Sequence, residues 1–489
     1  ANDIHCNNFS EELSVAIPSD NFNMFRESEN QQYLDLGDMT TGCQKCGALI
    51  WYNERAEKNV STSIPVVSLC CQKGDVMLPY MIEPPAVIRM LFNGIDPRSS
   101  QFLLNIRMYN NMFAFTSMGG QIEYGRNIGG GPPQFVITGQ NYHRIGTLLP
   151  SEVHPPKFVQ LYIYDTQNEI SNRMSHFSPD DPASVIDEHL VKELLHLMDC
   201  HNKLVKCFRM VRDYRLINES VPIKLRLFRN RISDSRTYNV PEVDEIAALI
   251  VGDFDTSEIG RDIIVNEKDG YLKRIHETHP KYLPLQYPLL FPFGEDQFNE
   301  HIERNQISTS ASVNKRVRVT LREFLAFRLQ ERMIEDSVIF KSRRLFQQFV
   351  VDSYSMLEAQ RLSFYRENQS TIRAGFLAGI EEAVGRGDID ASSVGARIVL
   401  PSSFIGGRRY MFNNCQDAMT LCKRYGYPDL FLTVTCNPRW VEIQRHLSRS
   451  GNYACFRPDI CCRVFKLKLE EMMNDFKKGD FFGWVIASK

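Results

Sequence analysis

"YGYPDLFLTVTCNPRWVEI", residues 425–443, reads as a turn, a buried apolar strand and the start of a helix. Thr433, Thr435 and Asn437 alternate along the end of that strand, ahead of a Pro-Arg-Trp corner. Polar teeth at the end of an apolar strand mark a place where chemistry or recognition can sit. The block around it, residues 398–489, alternates strand and helix. Its order is "ARIVLP", a helix over 414–425, "LFLTVT", helices over 439–448 and 462–478, and a last strand "FFGWVIAS" that breaks off at Lys489. Few strands interleaved with helices imply an α+β fold rather than a helical bundle or a β-sandwich.

Upstream the patterns are mixed. Helical spacing of apolar residues predicts helices near 320–336, 341–369 and 371–385, and a run over 183–217 with Ser184 and Asp187 as candidate caps. "IKLRLFRN" and "EIAALIVGD" read as strands, as do "QFVITGQNYHRI" and "FVQLYIYDTQNEI". The Pro-rich bend "HPKYLPLQYPLLFPFGED" divides the chain near 279–296. Five segments result: a polar lead-in (1–40), a small cysteine module (41–85), a mixed α/β region (86–265), the bend with a helical basic region (266–397) and the final block (398–489).

Composition narrows the class. With 489 residues, 43% of them hydrophobic and 24% charged, the chain buries several cores. A formal net charge of -2 excludes a uniformly basic nucleic-acid coat but leaves local basic patches open. No apolar run approaches a membrane span, and the start, which begins with Ala, lacks the pattern of a secretory signal. Thirteen cysteines without such a signal favour reduced thiols or metal ligands, hence a soluble protein of the cytosol or nucleus.

Cys43 and Cys46 form a Cys-x2-Cys knuckle, and Cys70 and Cys71 return about twenty residues later. Such a set suits the tetrahedral sulfur coordination of a structural zinc in a zinc-ribbon-like module. The return pair is adjacent rather than x2-spaced. Both of its thiols reach one metal only if the backbone bends sharply, so either can be a bystander, with His5 or Cys6 as an alternative ligand. The competing reading is four buried thiols packing a small β-domain.

Other motifs fall short. His276 and His279 have x2 spacing and precede Pro280, which defeats a helical His-x3-His zinc site; His279 reads as an anchor of the bend. "GGGPP" lacks the Lys-Ser/Thr of a phosphate-binding loop. Residues 313–350 carry nine Lys/Arg against four acids, including Lys315, Arg316, Arg318, Arg322, Arg332, Lys341, Arg343 and Arg344. Helical spacing of Leu321, Phe324, Leu325, Leu329 and Met333 leaves Arg322 and Arg332 outward, a face suited to phosphate contacts or simply solvated beside its own acids. Gly406-Gly407 before Arg408-Arg409 can approach a phosphate backbone or form an ordinary surface loop.

Five stretches, in order, resemble one family: "HRIGTLLPSEVHPPKFVQLYIYDTQNEISNR", "HPKYLPLQYPLLFPFGED", "FQQFVVDSYSMLEAQRLSFYRENQ", "LPSSFIGGRRYMFNNCQDAMTLCKRYGYPDLFLTVTCNPRW" and "RPDICCRVFKLKLEEM". The chain from about residue 36 is similar to the helitron helicase-like region, the N-terminal part of the Rep–helicase transposase of plant-type Helitron rolling-circle transposons. The resemblance implies a zinc-finger-like segment, then a Rep nuclease with a ferredoxin-like antiparallel sheet, then an ATP-dependent helicase. The nuclease of that class cleaves single-stranded DNA with a Tyr nucleophile and a divalent metal held by a His-x-His pair. Thr433, Thr435 and Asn437 match its first motif, the strand flanking the metal site. The eleven histidines here include no His-x-His pair, and no tyrosine falls in the nucleophile's motif. The expectation is therefore the first half of a Rep sheet, truncated, in a nuclear DNA-binding segment that is itself neither nuclease nor helicase. Its partner would be single-stranded or transposon-end DNA, and its only resident metal the structural zinc. The alternative is a domesticated or decayed transposon-derived interaction protein without DNA activity.

Overall fold

The computed structural model describes residues 35–56, 65–123, 134–151, 154–175, 186–218, 223–229, 247–251, 262–267, 272–305, 316–369, 371–372, 399–450, 453–479 and 482–488. Strands β1 (Thr41–Gly42) and β2 (Leu49–Ile50) come first, followed by helices α1 (Ala86–Phe92), α2 (Ser99–Leu104) and α3 (Ile106–Phe113). Strands β3 (Ser117–Met118), β4 (Gln121–Glu123), β5 (Val136–Thr138) and β6 (His143–Ile145) lead to α4 (Glu169–Met174), α5 (Glu188–His201) and α6 (Lys203–Ile217). After β7 (Ile223–Leu227), β8 (Ala247–Val251), β9 (Ile263–Asn266) and β10 (Lys273–Arg274), the described elements are helical. They are α7 (Tyr282–Gln286), α8 (Leu321–Arg328), α9 (Arg344–Glu367), α10 (Arg408–Tyr425), α11 (Val441–Ser450) and α12 (Pro458–Lys478). The strands pair antiparallel in four small sheets, ordered β1-β2, β10-β6-β3, β4-β5 and β8-β7-β9. The fold is mixed α+β.

The chain divides into two compact units, Ala1–Ser353 with Pro438–Ile460, and Tyr354–Asn437 with Cys461–Lys489.

In the first unit, the helical run over 183–217 breaks at Asn202. Asp187 caps α5 by accepting from the amides of His189 (2.9 Å) and Leu190 (3.3 Å); Ser184 lies outside the described residues. Asn202 ends α5 and starts α6, its Oδ1 accepting from the amides of Leu204 (2.9 Å) and Val205 (3.2 Å). One side chain thus satisfies amides that the new helix leaves without partners. Gly294 crosses this corner at φ +68, and a Cβ there would meet Asn202 Oδ1 at 3.0 Å. The two helices cover a stack of Phe115, Tyr162 and Phe208, with centroids 4.9 Å and 5.3 Å from Phe115.

One expectation needs correction here. "FVQLYIYDTQNEI" is no strand: Phe158–Tyr162 forms a tight 3-10 turn and Glu169–Met174 is α4. Its alternating residues fit a turn because Phe158 (φ 53) and Asp165 (φ 52) adopt left-handed backbone, which aims Val159, Leu161 and Tyr162 inward together. The Pro-rich bend lies in the core of the first unit. His279 to Phe291 is buried throughout, so its prolines shape core rather than linker.

In the second unit, α10 begins after Gly406 (φ +78) and ends at Gly426 (φ +92), the left-handed terminus that glycine favours. The expected start at 414 is six residues late. None of its residues is fully buried. The strand expected at "LFLTVT" is not one: Phe431 is 94% exposed, and Tyr427–Asn437 pairs with no strand among the described residues. "FGWVIAS" (482–488) is likewise exposed and unpaired, Trp484 at 90%. Alternation supplies a strand's side chains, but a ladder needs a second backbone alongside.

Candidate metal centre

The β1-β2 hairpin carries the first knuckle. The Cys43 amide donates to Ala48 O (2.8 Å) and the Gly47 amide to Cys43 O (2.8 Å), with Gly47 at φ +68 completing the turn. Cys43 and Cys46 thereby face one point. The second corner resolves the adjacency problem. After Cys71, residues Gln72 (φ 50), Lys73 (φ 61) and Gly74 (φ 99) run successively in left-handed backbone. The Cys71 carbonyl accepts from the amides of Gly74 (2.9 Å) and Val76 (3.0 Å), which holds the bend.

All four thiols are buried, and their sulfurs lie within 4.8 Å of one another. Cys43 Sγ is 3.8 Å from Cys71 Sγ, and Cys70 Sγ is 3.7 Å from Cys71 Sγ. A disulfide needs about 2.05 Å. A tetrahedron of sulfurs at about 2.3 Å from a zinc ion has edges of about 3.8 Å, so the donor set fits that metal's geometry. Hydrogen bonding among the sulfurs pulls the Cys43 thiol down, Cys46 being its main partner, and pushes Cys70 and Cys71 up, Cys43 being theirs. Both cysteines of the return pair sit within the four-sulfur cluster; His5 and Cys6 lie outside the described residues.

The module is pinned from far along the chain. The Leu49 amide donates to Glu331 O (2.8 Å), and Ala48 forms an antiparallel bridge with Arg332. Arg332 was expected to face outward for DNA; it is buried instead, because α8 stops at Arg328 and the chain turns back. Its Nε donates to Cys46 O (3.0 Å), and the guanidinium lies over the Phe327 ring at 3.8 Å. Glu331 accepts from Arg457 Nη2 (3.0 Å), and its carboxylate is 3.3 Å from His446 Nε2. Burial pushes the Glu331 carboxyl up, but His446 and Arg457 together hold it down at about 2.

That depression has a pH signature. An unfolded Glu ionises near about 4.3, so the stabilisation is complete above that value and is lost as pH falls toward the folded value. Unfolding free energy measured by urea titration is expected to fall more steeply below about pH 4 in the wild type than in Glu331→Gln. Parallel acid slopes in the two proteins would rule this out.

The other basic residues divide. Arg316, Arg318 and Arg322 are exposed in the first unit, and Arg408 and Arg409 are exposed in the first turn of α10. Lys341 is engaged by Asp336 and by Asn93 Oδ1 (2.5 Å). Arg343 is half-buried over the Phe456 ring at 5.2 Å, and burial lowers the half-buried Arg344 guanidinium. Lys315 lies outside the described residues. Thr433, Thr435 and Asn437 are exposed on the unpaired segment of the second unit.

Sequence reasoning missed a buried hub in the first unit. His143, Asp352 and Tyr287 all have negligible exposure. Asp352 Oδ2 lies 2.7 Å from His143 Nε2 and accepts from the Tyr287 hydroxyl (2.8 Å), while Oδ1 accepts from Asn141 Nδ2 (2.8 Å). His143 Nδ1 is 3.0 Å from Tyr282 O, and its ring stacks on Tyr282 at 3.8 Å. The burial of all these groups makes the hub structural. His143, Tyr287 and Asp352 each come from a different one of the stretches quoted for the family resemblance; that coincidence was the available signal.

Residues 324–488 match the family model described as Helitron helicase-like domain at N-terminus. No curated protein matches the chain.

Proposed function

We propose that this chain, which carries a helitron helicase-like N-terminal domain over residues 324–488, is a DNA-binding segment of a Helitron rolling-circle transposase. The family match carries the reading; the exposed Arg316, Arg318, Arg322, Arg408 and Arg409 support it as phosphate contacts. Cys43, Cys46, Cys70 and Cys71 hold a structural zinc: four sulfur ligands complete the tetrahedron and leave no position for substrate. When bound, the ion cross-links the two halves of the module. Thr433, Thr435 and Asn437 flank the nuclease centre of that family, and the residues of this chain bind DNA rather than cut it. The setting is the nucleus.

Single-stranded DNA binding is expected to weaken with salt, log K falling by about 0.7 per phosphate contact for each unit of log salt. The triple variant Arg316→Gln, Arg318→Gln, Arg322→Gln is expected to flatten that slope by about two. Absence of binding at low salt would overturn the reading. It would favour the second one, an interaction protein of transposon origin, which the internal engagement of Arg332 and Lys341 also suits.

A further inference from the structure

We infer that Arg332 is a positioning residue of the four-cysteine centre: it locks the Cys46 knuckle and supplies a buried cation beside the thiolates. The inference rests on the reading that these cysteines hold a metal.

Every side of the guanidinium is committed. Besides the Cys46 carbonyl, Nη2 donates to Phe327 O (2.9 Å), and Nη1 donates to Gln330 O (3.1 Å) and to Glu335 Oε2 (3.3 Å). Glu335 Oε1 in turn accepts from the Met81 amide (2.8 Å). The ion pair therefore ties the chain just after the first cysteine pair to the chain leaving the second. Arg328 adds a bond from Nη1 to Pro79 O (2.6 Å). Bonds from one short segment reach both halves of a module more than 240 residues away in sequence.

Charge explains why an arginine belongs there. Four thiolates around a divalent cation leave two negative charges in a buried site, which is costly unless a cation balances them. Arg328 and Arg332 are the buried guanidiniums that reach the module, the second of them paired with Glu335. The planar fork also fixes the Cys46 carbonyl in a way that a lysine's point charge cannot reproduce. The ligand's own backbone is the atom held, so the effect reaches the sulfur through a single residue.

The test uses the full-length chain loaded with zinc, release being followed by a chromophoric chelator, and with cobalt, whose visible spectrum reports tetrahedral sulfur ligation. Arg332→Gln is expected to release zinc about 10–100-fold faster and to distort the cobalt spectrum, as losses of outer-shell partners do. Arg332→Lys is expected to fall between. Tyr287→Phe, which weakens the distant hub, should lower thermal stability and leave both readouts unchanged. A wild type that takes up no metal defeats the metal reading itself. Normal uptake with unchanged release in Arg332→Gln overturns the role of Arg332 alone, as does equal acceleration in Tyr287→Phe. If Arg332→Gln fails to fold, Glu335→Gln is expected to speed release several-fold, and an unchanged rate there overturns the inference.

Discussion

Asp352→Ala is expected to destabilise the first unit by about 3–5 kcal/mol, each stranded buried donor costing about 1–3 kcal/mol. The substitution strands three donors at once: the Asn141 amide, the His143 imidazole and the Tyr287 hydroxyl. None can turn to water, because the residues around them are buried. Tyr287→Phe removes one bond to a charged acceptor and is expected to cost about 1.5–3 kcal/mol. The two losses should be strongly non-additive, since the aspartate is common to both. Urea unfolding combined with amide exchange over residues 282–291 would read the effect. A change below about 1 kcal/mol for Asp352→Ala, within the range of ordinary surface substitutions and single neutral hydrogen bonds, would show that the hub is incidental.

Cys46→Ser is expected to abolish stoichiometric metal and to unfold the module locally. Structural zinc contributes about 10–16 kcal/mol in isolated zinc-finger peptides, far more than a small core can replace. The core here is small: Ile50, Trp51, Val67, Val76 and Leu78 are its main buried side chains. Freshly purified wild type should carry about one equivalent of zinc, and Cys46→Ser less than about half. Amides of Cys43, Gly47 and Val76 should lose their exchange protection together. The other adjacent pair is the control. Cys462 is exposed, and Cys462→Ser should leave the metal content unchanged. Full protection of those three amides in chelator-treated protein would show that the thiols simply pack.

The sequence-to-structure comparison separates by the range of the interaction. The Cys-x2-Cys knuckle, the Asp187 cap and the helix expected over 341–369 were legible because each rests on residues within a turn or two of one another; the helix expected over 371–385 lies almost wholly outside the described residues. The return pair was legible as an oddity only. What reconciles adjacent cysteines with one site is left-handed backbone at Gln72 and Lys73, residues with no intrinsic bias toward it. Arg332 was misread because helical spacing was extended past Arg328, where α8 ends and the chain turns to bridge Ala48. The hub was invisible for a plainer reason. His143 and Asp352 are 209 positions apart, and no local pattern marks a histidine for a carboxylate so distant. The exposed "LFLTVT" shows the opposite failure, a local alternation that has no neighbouring strand among the described residues to make it a sheet.

Arg332 and Asp352 lie within the stretch that matches the family, whereas Cys46 and His143 lie well upstream of it. A recombination joining residues 324–488 to a foreign upstream sequence would carry over an arginine without its carbonyl and an aspartate without its histidine. Such a chimera would begin life with buried, unmatched charges. Lineages that keep the downstream domain folded are therefore expected to transmit the cysteine module and the His143 strand with it, as one block of descent.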